Sequence, residues 1–308
     1  MQYIKGVESY NETQYSAVTL GKFDGLHRGH QKLVNKVRGY ASSNVKSIIF
    51  AFDMNKYFED RGISKENIMS NEERRIHLED KVDYLIECPF TKEIHSMEAE
   101  MFIRKILVEK LHAKYIVVGT DFHFGYEKKG NVQLLQKCSE QYGYHLDIIE
   151  KEVYKGRVIS SSYVKEELRK GNIEIVNELL GYPYCVWGQV EHGKKLGRTL
   201  GFPTMNVVPY KGKLLPPNGV YATKSLVNGI TYEGIGNVGV KPTVTDVEKL
   251  LVEVYLFEYS GDAYGEIIQI QFYTFERPEI KFSSIQELKE HVNQDIIFGK
   301  YFFEKTDS

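Results

Sequence analysis

Residues 193–206 read Gly193-Lys194-Lys195-Leu196-Gly197-Arg198-Thr199-Leu200-Gly201-Phe202-Pro203-Thr204-Met205-Asn206. Three glycines, three cations and a Pro-Thr-x-Asn ending share these fourteen residues. Glycines let a ligand approach the backbone closely and tolerate positive φ. Lys194, Lys195 and Arg198 set positive charge beside exposed amides, a composition suited to phosphate. Thr204 and Asn206 follow a proline that fixes the local backbone, and residues i and i+2 of an extended segment share one face. Their two oxygens can therefore meet one Mg²⁺ or one phosphate. The competing reading is a basic surface turn joining two strands, and composition leaves both open.

Around and beyond this stretch the apolar pattern has period two. Residues 184–190, 221–227, 230–235, 250–257 and 267–275 read as strands. Asn228-Gly229 between apolar runs is a hairpin signal. With helix expected only over 285–295, the strands imply a small closed antiparallel barrel carrying a terminal helix. Glu253 stands out because it interrupts Leu250-Leu251-Val252-Glu253-Val254-Tyr255-Leu256-Phe257, where both alternating faces are otherwise apolar. A carboxylate so placed is expected to be partly desolvated, with a raised pKa, which suits a general base. A rim glutamate paired with a cation is the alternative.

Upstream, strands alternate with helices. Residues 17–20 read as a short buried strand, 21–25 as a turn and 27–40 as a helix. Further strands are expected at 47–52, around 80–86, at 115–118 and at 146–149, with an amphipathic helix over 98–111. This order implies an α/β domain built on a parallel sheet covered on both faces, with ligands beyond the carboxyl ends of its strands. A tail of two helices, 163–170 and 173–180, leads to Tyr182-Pro183, where the period changes. The expected division is therefore 1–182 and 183–308.

Two loops at those strand ends carry candidate chemistry. In Gly21-Lys22-Phe23-Asp24-Gly25-Leu26-His27-Arg28-Gly29-His30, the histidines lie three apart at a helix start, on one face near its positive end. Gly29 between them admits a nucleotide, and two imidazoles there would stabilise charge developing on an α-phosphate. Two histidines without a third ligand rarely hold zinc, and the Gly-Lys-Ser/Thr ending of a Walker A loop is missing. In Val118-Gly119-Thr120-Asp121-Phe122-His123-Phe124-Gly125, Asp121 can orient a ribose, a base or Mg²⁺, while the phenylalanines either wall a flat ring or pack in the core. Arg157-Val158-Ile159-Ser160-Ser161-Ser162 precedes a helix; one serine is needed as N-cap, and the others with Arg157 face a phosphate-binding helix start.

The totals set bounds on these readings. A chain of 308 residues is long for one core, and two domains are expected. The net charge of −2 gives no reason to expect nucleic acid or an anionic membrane as partner. Cys88, Cys138 and Cys185 are far apart and lack metal spacing, which points to a reducing compartment. The polar residues 1–14 lack the apolar core of a signal peptide, and no stretch reaches the roughly 18 apolar residues of a membrane span. A cytoplasmic location is expected; the oligomeric state stays open.

The 193–206 stretch resembles the flavokinase signature, a glycine-rich basic loop ending in Pro-Thr-x-Asn. Gly21 to His30 resembles the His-x-Gly-His segment of nucleotidyltransferases, in the form found in bacterial FAD synthetases. Gly119 to Gly125 and Ile159 to Lys165 are similar to two further segments of that family, with Ser162 for threonine and Lys165 for arginine. Gly236-Asn237-Val238-Gly239-Val240-Lys241-Pro242-Thr243 and Arg277-Pro278-Glu279-Ile280-Lys281-Phe282 are similar to flavokinase segments. The resemblance runs from about residue 18 to 295 and implies a bifunctional riboflavin kinase/FAD synthetase, with a Rossmann-like nucleotidyltransferase domain followed by a six-stranded flavokinase barrel.

The resemblance further implies roles. Glu253 would be the base on the ribityl hydroxyl of riboflavin, and Thr204 and Asn206 would hold Mg²⁺. Gly193, Lys194, Arg198 and Gly201 would close on ATP, and Asn237 and Arg277 would contact the flavin. In the first domain His27 and His30 would be catalytic. Gly21, Phe23, Asp24, Gly25, Gly29, Asp121, Arg157, Ser160, Ser161 and Ser162 would bind the nucleotide. Substrates and products would be riboflavin, FMN, FAD and ATP. One departure stands out: relatives carry a Pro-His-Pro-like element after the second strand, where this chain has Asp53-Met54-Asn55-Lys56. Asn55 or Lys56 would have to substitute. A kinase with a degenerate first domain, or a flavin-binding regulator without turnover, are the alternative readings.

Overall fold

Ala17, Val18, Thr19 and Leu20 are all buried, so their strand is covered on both faces. This is the mark of a central strand in a parallel sheet. The computed structural model describes residues 1–192, Gly197, 200–242 and 248–306. They form two compact units, Met1–Ser161 and Ser162–Ser308.

The first unit runs β1 (Gln2–Lys5), β2 (Tyr15–Gly21), α1 (Arg28–Gly39), β3 (Val45–Asp53), α2 (Asn55–Glu59), α3 (Asn71–Leu78), β4 (Tyr84–Pro89), α4 (Lys92–Ser96), α5 (Ala99–Phe102), β5 (Ala113–Gly119), α6 (Val132–Tyr142) and β6 (His145–Ile149). A short hairpin, β7 (Val153–Tyr154) and β8 (Arg157–Val158), follows. The sheet order is β1-β4-β3-β2-β5-β6, and every pairing is parallel. Alternate residues serve opposite layers. Val18, Leu20, Ile48, Phe50, Ile116 and Val118 join the layer under α5 and α6, while Ala17, Val45 and Val117 meet Val37 of α1 on the other face.

Three elements depart from the sequence pattern. The polar N-terminus supplies an edge strand, because Gln2 to Lys5 pair with Tyr84 to Glu87. The expected helix over 98–111 is α-helical only through Phe102 and continues as a π-helix, Ile103–Lys110, with Leu111 N bonding Ile106 O at 2.9 Å. Helix α3 opens with a capping box, Ser70 accepting from Glu73 N and the Glu73 carboxylate accepting from Ser70 N.

The second unit takes α7 (Ser161–Lys170) from Ser162 onward, then α8 (Ile173–Leu180), β9 (Cys185–Glu191), β10 (Met205–Pro209), β11 (Gly219–Val227), β12 (Ile230–Pro242), β13 (Glu248–Leu256), β14 (Ile267–Pro278) and α9 (Ile285–Thr306). The barrel is closed in the order β10-β13-β12-β11-β14-β9, six strands as expected. The period changes at 182–183, yet compactness divides the chain earlier. One reason is Asn177 of α8, whose Nδ2 donates to Phe272 O (2.9 Å) and whose Oδ1 accepts from Tyr184 N (2.7 Å). Inside the barrel Val207, Val238, Val252, Val254, Tyr221 and Phe272 are wholly buried. Outside it, Val220, Ala222, Ile235, Tyr255 and Phe257 seat the helix α9 through Phe303 and its neighbours. No described helix is long and apolar enough to cross a membrane.

Helix α9 is also tied to β14 by a bidentate pair. Arg277 Nε donates to Asp295 Oδ1 and Nη2 to Oδ2, both at 2.7 Å, and the Asp295 side chain is only 4% exposed. Removing one partner of such a pair strands the other. Asp295→Ala is expected to lower stability by about 3 kcal/mol, read as a shift of the urea midpoint with an unchanged m value.

Candidate active sites

The first site forms where β2 ends. The turn after Gly21 is held by its own side chains and by neighbours: Asp24 Oδ1 accepts from Ile68 N (2.8 Å) and Met69 N (3.3 Å), and Ser161 Oγ donates to Asp24 O (2.8 Å). Gly25 has φ 89°, and a Cβ there would lie 2.9 Å from Ile68, so only glycine fits. Phe23, expected at the nucleotide, is wholly buried with φ 49°. Its ring packs 5.1 Å from that of His30. Phe23 and the Asp24 carboxylate therefore shape the turn.

His27 caps α1, its Nδ1 accepting from His30 N at 3.4 Å. The two imidazoles stack with centroids 3.8 Å apart and planes 18° apart. Gly29 permits this, because a Cβ there would sit 3.2 Å from His27 Nδ1. Burial pushes His27 down to about 4, against a weaker upward pull from Asp24. His30 is held well below the usual imidazole range by burial, then by His27 and by the positive charge of Arg74. Both rings are therefore neutral at pH 7. His30 Nδ1 is buried without a hydrogen-bond partner.

Beside the pair, on the β3 and β4 side, lies an open cleft of ≈ 320 Å³ including its mouth. Lys22, Asp24, Phe52, Asn55, Lys65 and Arg74 are among its walls. Of Asn55 and Lys56, the two residues expected to substitute for a histidine, Asn55 lines the cleft, accepting at Oδ1 from Asn67 Nδ2 (3.3 Å). Sequence reasoning missed Arg74, Lys65 and Asn67 altogether. The signal was a capped helix start, Ser70-Asn71-Glu72-Glu73, that orients Arg74.

On the other side, at the end of β5, Asp121 is exposed and pairs with Lys151 (2.6 Å). Phe124 belongs to the core, and Phe122 stacks on it at 5.4 Å. Core packing thus accounts for Phe124. Arg157 lies exposed on β8, and Ser161 begins α7 with Ser160 just before it and Ser162 just after.

The second site lies on the outer face of the barrel and is set by strand register. Glu253 of β13 lies opposite Asn206 of β10 on one side and Asn237 of β12 on the other. Directly opposed residues share a face, so the three form a polar row beside the seat of α9. Val220 and Arg277 continue the same row through β11 and β14. Thr204 Oγ1 donates to Glu253 Oε1 at 2.6 Å. Glu253 is half-buried with this polar partner, in place of the apolar surroundings that its strand pattern implied. Asn206 is 7% exposed.

Two flavin expectations change character. Asn237 Nδ2 donates to Glu279 Oε1 (3.1 Å), and the Arg277 guanidinium is committed to Asp295. Gly201 takes φ 95°. Gly193, Lys194, Arg198 and Thr243 lie outside the described residues.

Thr204, Asn206 and Glu253 offer hard oxygen donors, the kind Mg²⁺ takes. No cluster of three or more His, Cys, Asp or Glu able to hold a metal occurs among the described residues.

Residues 9–163 match the family described as FAD synthetase, and residues 180–303 match the one described as riboflavin kinase. The bifunctional riboflavin kinase/FMN adenylyltransferase of Haemophilus influenzae is 35% identical over 309 residues, covering 98% of this chain and 99% of its own. That of Escherichia coli is 33% identical over 313 residues, covering 99% of each. A crystal structure from Streptococcus pneumoniae, described as a macrolide-efflux protein, superposes with a TM-score of 0.83 at 27% identity and covers 96% of both chains. With both domain families present in order and relatives matched end to end, the chain belongs to the bifunctional riboflavin kinase/FMN adenylyltransferases, which use ATP to phosphorylate riboflavin to FMN and to adenylylate FMN to FAD.

Proposed function

We propose that the polar row on the outer face of the barrel is the riboflavin kinase site and the histidine pair at the start of α1 the adenylyl-transfer site. The observation that carries the kinase reading is the placement of Glu253 between Asn206 and Asn237, with the Thr204 hydroxyl on its carboxylate. Glu253 takes the proton from the 5′-hydroxyl of riboflavin as that oxygen attacks the γ-phosphate of ATP. Thr204 and Asn206 would hold Mg²⁺, which neutralises phosphate charge when bound. The Thr204 hydroxyl orients the base until then. Lys194 and Arg198 are proposed to meet the ATP phosphates, and the 183–308 segment to act as the kinase domain.

In the 1–182 segment, the FMN phosphate attacks the α-phosphate of a second ATP and pyrophosphate leaves. His27 and His30 are neutral, so they serve by hydrogen bonding at the start of α1, whose positive end favours phosphate. Asp121 and the serines at the start of α7 are proposed to hold the nucleotide. Asn55 stands in for the absent histidine as an amide on the cleft wall. A cytoplasmic location, with no nucleic acid or membrane partner, fits the near-neutral charge of −2.

Glu253→Gln keeps the shape of the side chain and removes the base. Riboflavin phosphorylation is expected to fall by about 10²–10⁴-fold while riboflavin fluorescence titration still shows binding; retained turnover would overturn the base assignment. In a time course with riboflavin and excess MgATP, FMN is expected first and FAD second. FMN that accumulates without FAD would refute adenylyl transfer at the histidine pair and leave the kinase reading standing.

Acid should act on the first unit through its buried histidines. His27 and His77 are both lowered by burial from 6.5 to about 4. The unfolded chain therefore binds more protons than the native one as pH falls from 6.5 towards 4, and stability is lost across that window. His77→Gln is expected to flatten part of the fall in thermal midpoint between those pH values. Imidazole resonances of His27 should show the neutral form down to pH 5.

A further inference from the structure

Arg74 is the most enclosed cation of the first unit that the mechanism above does not use. It is 4% exposed, yet it lines the cleft beside the histidine pair. Its Nη2 donates to Glu87 Oε1 (2.5 Å) and Asn71 Oδ1 (2.8 Å), and its Nη1 to Lys22 O (3.1 Å). The other carboxylate oxygen of Glu87 accepts from the Tyr3 hydroxyl (2.8 Å). The guanidinium is thus fixed from three directions. Its Nε is buried and has no hydrogen-bond partner.

The histidine pair next to it carries no charge. His27 and His30 are neutral, so neither can offset the negative charge on phosphate oxygens. An arginine stays charged even when buried, and its planar fork suits phosphate. The charge of Arg74 is close enough to His30 to help keep that ring neutral. Its bond to Lys22 O also ties the turn after β2 to α3, so the loop that leads to His27 is set by the same side chain.

We propose that Arg74, with Lys22, forms a phosphate-oxygen subsite on the β3–β4 side of the His27–His30 pair, in which the guanidinium charge fixed at the cleft wall attracts the phosphate oxygen. The inference rests on adenylyl transfer at that pair. The phosphate oxygen belongs either to FMN or to the departing pyrophosphate of ATP, and the two sources are separable by kinetics.

FAD formation from FMN and MgATP would be measured for wild type, Arg74→Lys and Arg74→Met, varying each substrate in turn. Riboflavin phosphorylation by the same preparations monitors the integrity of the chain. Arg74→Met is expected to raise one KM by about tenfold or more, as the loss of a charged hydrogen bond should, and to leave riboflavin phosphorylation unchanged. Arg74→Lys, which keeps charge without the fork, should give a smaller rise in the same KM. It keeps the test decisive should Arg74→Met fail to fold. A rise for FMN assigns the oxygen to FMN; a rise for MgATP with weaker product inhibition by pyrophosphate assigns it to ATP. Unchanged KM values, or a loss confined to kcat and thermal stability, would overturn the subsite and leave Arg74 a structural residue. Calorimetric titration with inorganic pyrophosphate separates the two inferences. A wild type that makes no FAD but binds pyrophosphate less well as Arg74→Met would sink adenylyl transfer and sustain the subsite. A wild type that neither makes FAD nor binds pyrophosphate would sink both.

Discussion

Strand register in the barrel is the constraint on which the proposed kinase site depends. Asn206, Glu253 and Asn237 come from three strands far apart in sequence, and only the pairing of β10 with β13 and of β13 with β12 sets them side by side. A slip of one residue would turn Glu253 into the barrel, where Val252 and Val254 now sit fully buried. Closure of the six strands leaves no edge along which such a slip could be absorbed. The apolar interior therefore positions the polar row on the opposite face.

The first unit solves a different problem. Its candidate site residues sit on a turn, where backbone is normally mobile, so the turn must be held. Asp24 holds it to residues 68 and 69, Ser161 to the start of α7, and Arg74 to α3. Burial then sets the charge state of the histidines it carries. Two stacked imidazoles in a dry setting cannot both be cations, and the nearby Arg74 adds to that restraint. Cations beside the pair include the lysines and the arginine that line the cleft.

Both units show polar residues whose type was legible but whose work was not. Arg277 and Asp24 are the kinds of residue that meet phosphates and flavins, yet one anchors a helix and the other caps a turn. Charge and polarity are visible in a sequence; the nearest partner is not, because it comes from residues distant along the chain. The reverse holds for Arg74, whose neighbours in sequence mark only a capped helix start. Its place beside His30 follows from its bonds to Glu87 of β4 and to Lys22 O in the turn after β2.

The sequence alone determined the two architectures, because hydrophobic period reports how each segment is buried: alternating layers for the parallel sheet, period two for the barrel. It also marked which loops are candidates for chemistry, since Gly25 and Gly29 with His27 and His30 form a local pattern, as do Pro203, Thr204 and Asn206. Tertiary structure alone decided which side chains meet. The Thr204–Glu253 bond, the neutral state of the histidines and the enclosure of Arg74 each depend on long-range packing. Periodicity fixes the face a residue occupies, whereas contact and desolvation depend on what the rest of the chain brings to that face.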